Sequence, residues 1–182
     1  MSRIPYVPDN PGAAGESELV ARIRARRGGR LLHLDRMLLN SPPFAYGWNT
    51  HLGAVRGELS VAPKLRELAI CAVAVLNDAD YEFEHHAPEL LRAGGTAAQV
   101  EALKALDSAI GQPPVFDATE WAVVQLTVEM TRNIKVREAT FARVQSQLGD
   151  ARQMVELVGV IATYNMVSRF LVALEVETES DG

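Results

Sequence analysis

Cysteine is almost missing from this sequence: Cys71 stands alone among 182 residues. An internal disulfide is therefore excluded, and so is a dithiol redox cycle within one chain. Basic charge is also scarce. The densest run, Arg22-Ile23-Arg24-Ala25-Arg26-Arg27, falls in a helical pattern near the N-terminus and reads as a solvated face or an intersubunit contact. With a net charge of −5 the chain offers no basic face to phosphates, so nucleic acid is not an expected partner. Long apolar runs are lacking too. The longest, residues 68–76, is far short of the ~20 residues a membrane span needs, and residues 1–8 lack the apolar region of a secretory signal. A cytoplasmic protein without membrane contact is the expectation. Apolar and polar residues nowhere alternate between turn signals, so no strand is expected.

What is present is a globular composition, 48% hydrophobic and 23% charged. The pattern divides into an extended arm over residues 1–15, rich in Pro, Gly, Asn and Ala, one domain over 16–176, and an acidic tail over 177–182 that should fray. The arm is expected to be loose or laid on a neighbouring subunit. Helical periodicity marks a first helix ending near Gly28-Gly29 and a second over 31–39. Ser41 and Pro42 stand as N-cap and first residue of a third, which carries Trp48 and His51. A fourth covers 64–76 and a fifth 81–93, separated by Asn77-Asp78-Ala79-Asp80, whose polar side chains can cap the fifth. Gly94-Gly95 ends the fifth and Thr96 caps the sixth. After the Gln112-Pro113-Pro114 break come helices over 119–132 and 136–148, and a last one running from Gly149-Asp150 to about residue 174.

Ionisable groups concentrate in Tyr81-Glu82-Phe83-Glu84-His85-His86-Ala87-Pro88. On a helix Glu82 and His86 are i,i+4 neighbours. A carboxylate that accepts from one imidazole nitrogen fixes the tautomer and leaves the other nitrogen as an acid or base. Pro88 has no N–H for the carbonyl of Glu84, which predicts a kink. The bland alternative is an exposed Glu–His pair worth a few tenths of a kcal/mol. Glu67 tips the balance. It sits among Leu68, Ala69, Val73 and Leu76 on the preceding helix, where a carboxylate needs a partner, and a short turn can fold it back toward Glu82 and His86. Cys71, one turn beyond Glu67, reads as an inert core residue, with a dimer-bridging thiol as the minor alternative. Glu82-x-x-His85 has the spacing of di-iron bundles, but those need a second such motif and none is in the sequence. A mononuclear site from Glu67, Glu82 and His86 is the remaining metal alternative. The expectation is no metal and no cofactor.

Arg66-Glu67-Leu68, the apolar run after it, Tyr81-Glu82-Phe83 and His85-His86-Ala87-Pro88 resemble the core signature of carboxymuconolactone decarboxylase/AhpD-like proteins. Thr163-Tyr164-Asn165-Met166-Val167-Ser168-Arg169-Phe170 is similar to the last helix of cysteine-less members. The resemblance covers about residues 30 to 176. It implies an all-α, AhpD-like helical bundle with 64–76 and 81–93 as its core antiparallel hairpin. It also implies a homo-oligomer, trimer or hexamer, with a dimer as the alternative. In peroxidase members the signature is Glu, eleven residues, Cys, two residues, Cys, three residues, His. Here Glu67 and His86 match its ends, while the cysteine positions fall on Ala79 and Glu82.

Without those thiols the resemblance points to the decarboxylase branch: cofactor-independent acid/base chemistry on a small carboxylated or carbonyl-bearing molecule. The expected catalytic residues are His86 as acid or base, Glu82 orienting it, and Glu67 holding or relaying a proton. Tyr81, His85, Asn165, Arg169 and Trp48 are candidate substrate contacts. Arg169 has two readings, a bidentate clamp on a substrate carboxylate or a partner for a structural glutamate such as Glu67. Two alternatives stand beside this one: a peroxidase-like antioxidant protein, which would need Cys71, and a non-catalytic ligand-binding oligomer in which the three groups form a closed network.

Overall fold

Local signals at the ends of the apolar segments decide where the helices begin and stop. A computed structural model describes residues 1–9, 17–106 and 111–179. Among these it has nine helices and no strand: α1 Glu18–Arg26, α2 His33–Leu38, α3 Pro42–Gly57, α4 Pro63–Leu76, α5 Asp80–Arg92, α6 Ala97–Lys104, α7 Ala118–Asn133, α8 Glu138–Leu148 and α9 Ala151–Leu174. The all-α expectation holds. Residues 10–15 of the expected arm and 180–182 of the expected tail lie outside the described residues. The chain divides into two compact units, one running to Glu58 and taking up the segment from Ala173, the other spanning Leu59–Val172.

In the first unit α1 and α2 pack on α3. Ser17 caps α1 by accepting from the Val20 N–H. Ser41 occupies the N-cap position of α3 as expected, yet its side chain makes no capping bond. The buried Asp35 accepts from the Leu32 N–H at 3.0 Å and pairs with Arg27 at 3.1 Å. Residues 1–9 are not loose. Val7 exchanges backbone and side-chain bonds with Arg36, and Tyr6 stacks on His33 with ring centroids 4.7 Å apart. The expected fraying at 177–179 is not seen either, because Glu177 donates its N–H to the Tyr6 hydroxyl and the Glu179 carboxylate accepts from the His33 N–H.

The second unit is built around α4, which packs on α5, α6 and α7. Every residue from Glu67 to Ala74 is buried. Leu68, Cys71, Ala72 and Leu76 of α4 form one apolar cluster with Leu90, Leu103, Phe116 and Val124. Gly94 and Gly95 end α5 in a Schellman motif: the Gly95 N–H reaches the Leu90 carbonyl at 2.8 Å and the Gly94 N–H the Leu91 carbonyl at 3.1 Å, with Gly94 at φ 95°. Thr96 and Gln99 then close a capping box on α6, and Asp117 and Glu120 another on α7. The expected cap between α4 and α5 is absent. Ala79 holds the N-cap position, Asp78 takes a left-handed φ of 51°, and Asn77 donates instead to Asn165 on α9 at 3.1 Å. The α5 helix continues through Pro88 to Arg92.

One difference concerns α9. Its 24 residues are long and apolar enough, by length and composition, to cross a membrane, although half of its most apolar window is buried inside the protein. No unbroken apolar run announced it, because Arg152, Glu156 and Arg169 punctuate the segment.

Candidate active site

Two adjacent helices and α9 bring the ionisable groups together. Glu67 sits on α4, Glu82 and His86 one turn apart on α5, and the short turn at 77–79 folds α5 back along α4. His86 Nδ1 lies 2.6 Å from Glu67 Oε2, the short distance of a charge-assisted bond. His86 Nε2 faces Glu82 Oε2 at 3.3 Å, at the long end of hydrogen-bond range. Glu67, Glu82 and His86 are only 2%, 4% and 3% exposed. The ring of Tyr164, from α9, stands edge-on to His86 with centroids 5.0 Å apart.

An imidazole between two carboxylates has a definite proton logic. Neutral imidazole has one N–H and would set a lone pair against one of the two acids, whereas imidazolium donates to both. Buried charge must also balance. Arg66 Nε lies 3.2 Å from Glu67 Oε1 and sets a positive charge beside that carboxylate. The sequence reading missed Arg66 as a partner. Adjacent residues on a helix do not face each other, and only the long arginine stem lets it turn back on Glu67. The Tyr164 contact is likewise one the sequence analysis did not single out. Of the two carboxylates, Glu67 makes the shorter contact with the ring, not Glu82, for which the orienting contact was expected.

The remaining candidates are placed as follows. Tyr81 is buried beside the triad's helix turn and stacks on His85 at 4.4 Å, while His85 Nδ1 meets the Tyr81 carbonyl at 2.7 Å. The Asn165 side chain donates to Thr131 and to the Ile161 carbonyl, and accepts from Asn77. Arg169 is exposed and donates to Asn165 at 2.6 Å, whereas Arg66 pairs with Glu67. Trp48 belongs to the first unit, where it is buried with Phe44 edge-on at 5.7 Å. Cys71 lies one turn beyond Glu67 and is fully buried; that burial, then the charges of Glu67 and Glu82, push its thiol far above the usual range. Among the described residues no group of three His, Cys, Asp or Glu is arranged to hold a metal ion.

Residues 42–123, which carry α4, α5 and the Glu67–His86 pair, match the model of the carboxymuconolactone decarboxylase family. Over this stretch the chain is similar to that family. Glu67, Glu82, His86, Tyr81, His85 and Trp48 lie inside it, and Tyr164, Asn165 and Arg169 beyond it. Curated proteins give no match to the sequence. Solved structures do. An uncharacterized peroxidase-related protein from Silicibacter sp. is 18% identical with a TM-score of 0.78, over 99% of this chain and 95% of that one. An AhpD-core, peroxidase-related protein from Ralstonia eutropha is 16% identical with a TM-score of 0.80, over 99% and 93%. A cysteine-to-alanine variant of the debrominase Bmp8, in complex with 2,3,4-tribromopyrrole, is 13% identical with a TM-score of 0.77, over 99% and 95%. At such identities the likeness shows the fold, which is AhpD-like.

Proposed function

We propose that this protein performs cofactor-independent proton transfer on a small carboxylated or carbonyl-bearing molecule, as a decarboxylase-type relative within its family. The observation that carries the reading is the buried His86 imidazole held at Nδ1 by Glu67 and facing Glu82 at Nε2. In this scheme Glu67 fixes the ring, with Arg66 balancing its charge. His86 Nε2 and Glu82 exchange the proton that substrate gives or takes. The longer contact at Nε2 is the one a substrate can enter, since less is lost by opening it. The peroxidase alternative draws no support from Cys71, whose thiol is held protonated by burial and by two neighbouring acids.

The test is turnover of γ-butyrolactone carboxylates, β-keto acids and phenolic carboxylates by the parent, His86→Gln and Glu82→Gln proteins, with thermal melts alongside. Loss of a positioned acid/base should lower turnover by about 10²–10⁴-fold while His86→Gln stays folded. Full activity in folded His86→Gln excludes the assignment.

The depth of burial favours a second reading, in which the three groups are a closed structural network in a non-catalytic ligand-binding protein. There Glu82→Gln destabilises the protein, and no compound is turned over by the parent.

A further inference from the structure

Buried hydroxyls in the second unit are spoken for. Thr127 donates to the Val123 carbonyl at 2.8 Å, Thr140 to Glu129 at 2.6 Å, and Thr131 accepts from Asn165 at 3.0 Å. Ser168 on α9 differs: its Oγ is fully buried and has no hydrogen-bond partner. A helical serine ordinarily has an easy acceptor in the carbonyl four residues back, as Thr127 does, and Ser168 does not use it. Leaving a buried hydroxyl unpaired is costly, so a position that keeps one asks for a reason.

Its place on α9 supplies one. Ser168 is one turn beyond Tyr164, on the same helical face, and Tyr164 is the residue whose ring meets His86. Cα–Cβ bonds tilt toward a helix's N-terminus, so the Ser168 Cβ lies over the turn that carries Tyr164. Ile161, Val167 and Leu171, which flank it on α9, are buried and apolar. Resting on the acid/base reading above, we propose that Ser168 donates a hydrogen bond to a neutral carbonyl oxygen of the small molecule bound beside His86.

The neutral class follows from charge. A carboxylate at this spot would enter an apolar wall beside Glu67 and Glu82 with one hydroxyl to stabilise it, and Arg66 is already bonded to Glu67. A ketone oxygen needs only the hydroxyl. The rest of the ligand then meets the aliphatic side chains of α9.

Cyclohexanone labelled with ¹³C at its carbonyl tests this by NMR titration of the full-length protein, with benzoate as the charged control. The parent should bind cyclohexanone with its carbonyl carbon moved downfield, the signature of an accepted hydrogen bond. Ser168→Ala should bind about tenfold more weakly, as expected for one lost net hydrogen bond, and should lose the downfield shift without melting lower. Ser168→Thr, which keeps the hydroxyl, should retain the shift. Four results overturn the proposal: no binding by the parent, an unchanged carbonyl shift in Ser168→Ala, a clearly lowered melting temperature in that variant, or tighter binding of benzoate. Full turnover by His86→Gln would instead remove the acid/base reading and leave the cyclohexanone result standing.

Discussion

Glu67 answers to two partners at once, Arg66 on its own helix and His86 on the next, and it does so 2% exposed. Removing its charge leaves the Arg66 guanidinium and the His86 ring facing a neutral amide. Breaking a buried pair in this way costs on the order of 3–5 kcal/mol, so Glu67→Gln should lower the urea midpoint strongly. A double variant with His86→Gln should recover part of that loss; strict additivity of the two would show that the pair is uncoupled. Cys71 makes a simpler case. With its thiol raised by burial and by Glu67 and Glu82, it should react with a disulfide reagent such as DTNB at mildly alkaline pH only when the protein is unfolded. Rapid labelling of the native protein would contradict the structure. At this scale the sequence disclosed the Glu67–Glu82–His86 meeting through spacing alone. It did not disclose Arg66 or the unpaired Ser168, because neither a wrapped-back arginine nor an unused hydroxyl leaves a periodic trace.

Helix ends were legible wherever their chemistry is local. Gly94-Gly95 and Thr96 are such signals, and the structure uses each as its residue type suggests. Gly95 is also constrained by contact: a Cβ there would stand 2.7 Å from Leu90 Cγ and 2.8 Å from the Leu90 carbonyl oxygen. Since the carbonyl belongs to the Schellman bond itself, it cannot simply swing away. Gly95→Ala should therefore destabilise by about 1–3 kcal/mol, as overpacking does. Thr96→Ala, which only removes a cap, should cost about 1 kcal/mol. Equal melting temperatures for Gly95→Ala and the parent would show that the α5–α6 corner yields more easily than its geometry indicates. The cap expected from the turn at 77–80 fails for the opposite reason. Asn77 has the right type for a cap, but its amide is claimed by Asn165, 88 positions away, and no local rule reports a tertiary partner.

Across the whole molecule, two carboxylates tie helices to distant backbone and make stability depend on acid. Glu129 of α7 accepts from the Arg137 N–H and guanidinium and from Thr140 on α8. Glu156 of α9 accepts from Ser60, the Val61 N–H and Arg152. For each, burial is the largest single influence and raises the pKa, but the bonds together outweigh it: Glu129 lies below its ordinary value of 4.5, and Glu156 is brought down to about 2. As pH falls below 4.5 the unfolded chain takes up protons on these groups while the folded one resists until lower pH, for Glu156 until about 2. The unfolded state then binds more protons, so stability is present above the ordinary carboxylate pKa and drains away through that window. Glu156→Gln should be less stable than the parent near neutral pH, yet show a flatter decline in melting temperature between pH 4.5 and about 2. Melts taken across that range decide it. Parallel curves for parent and variant would mean that the clasp between α9 and residues 60–61 does not set the acid limb of stability.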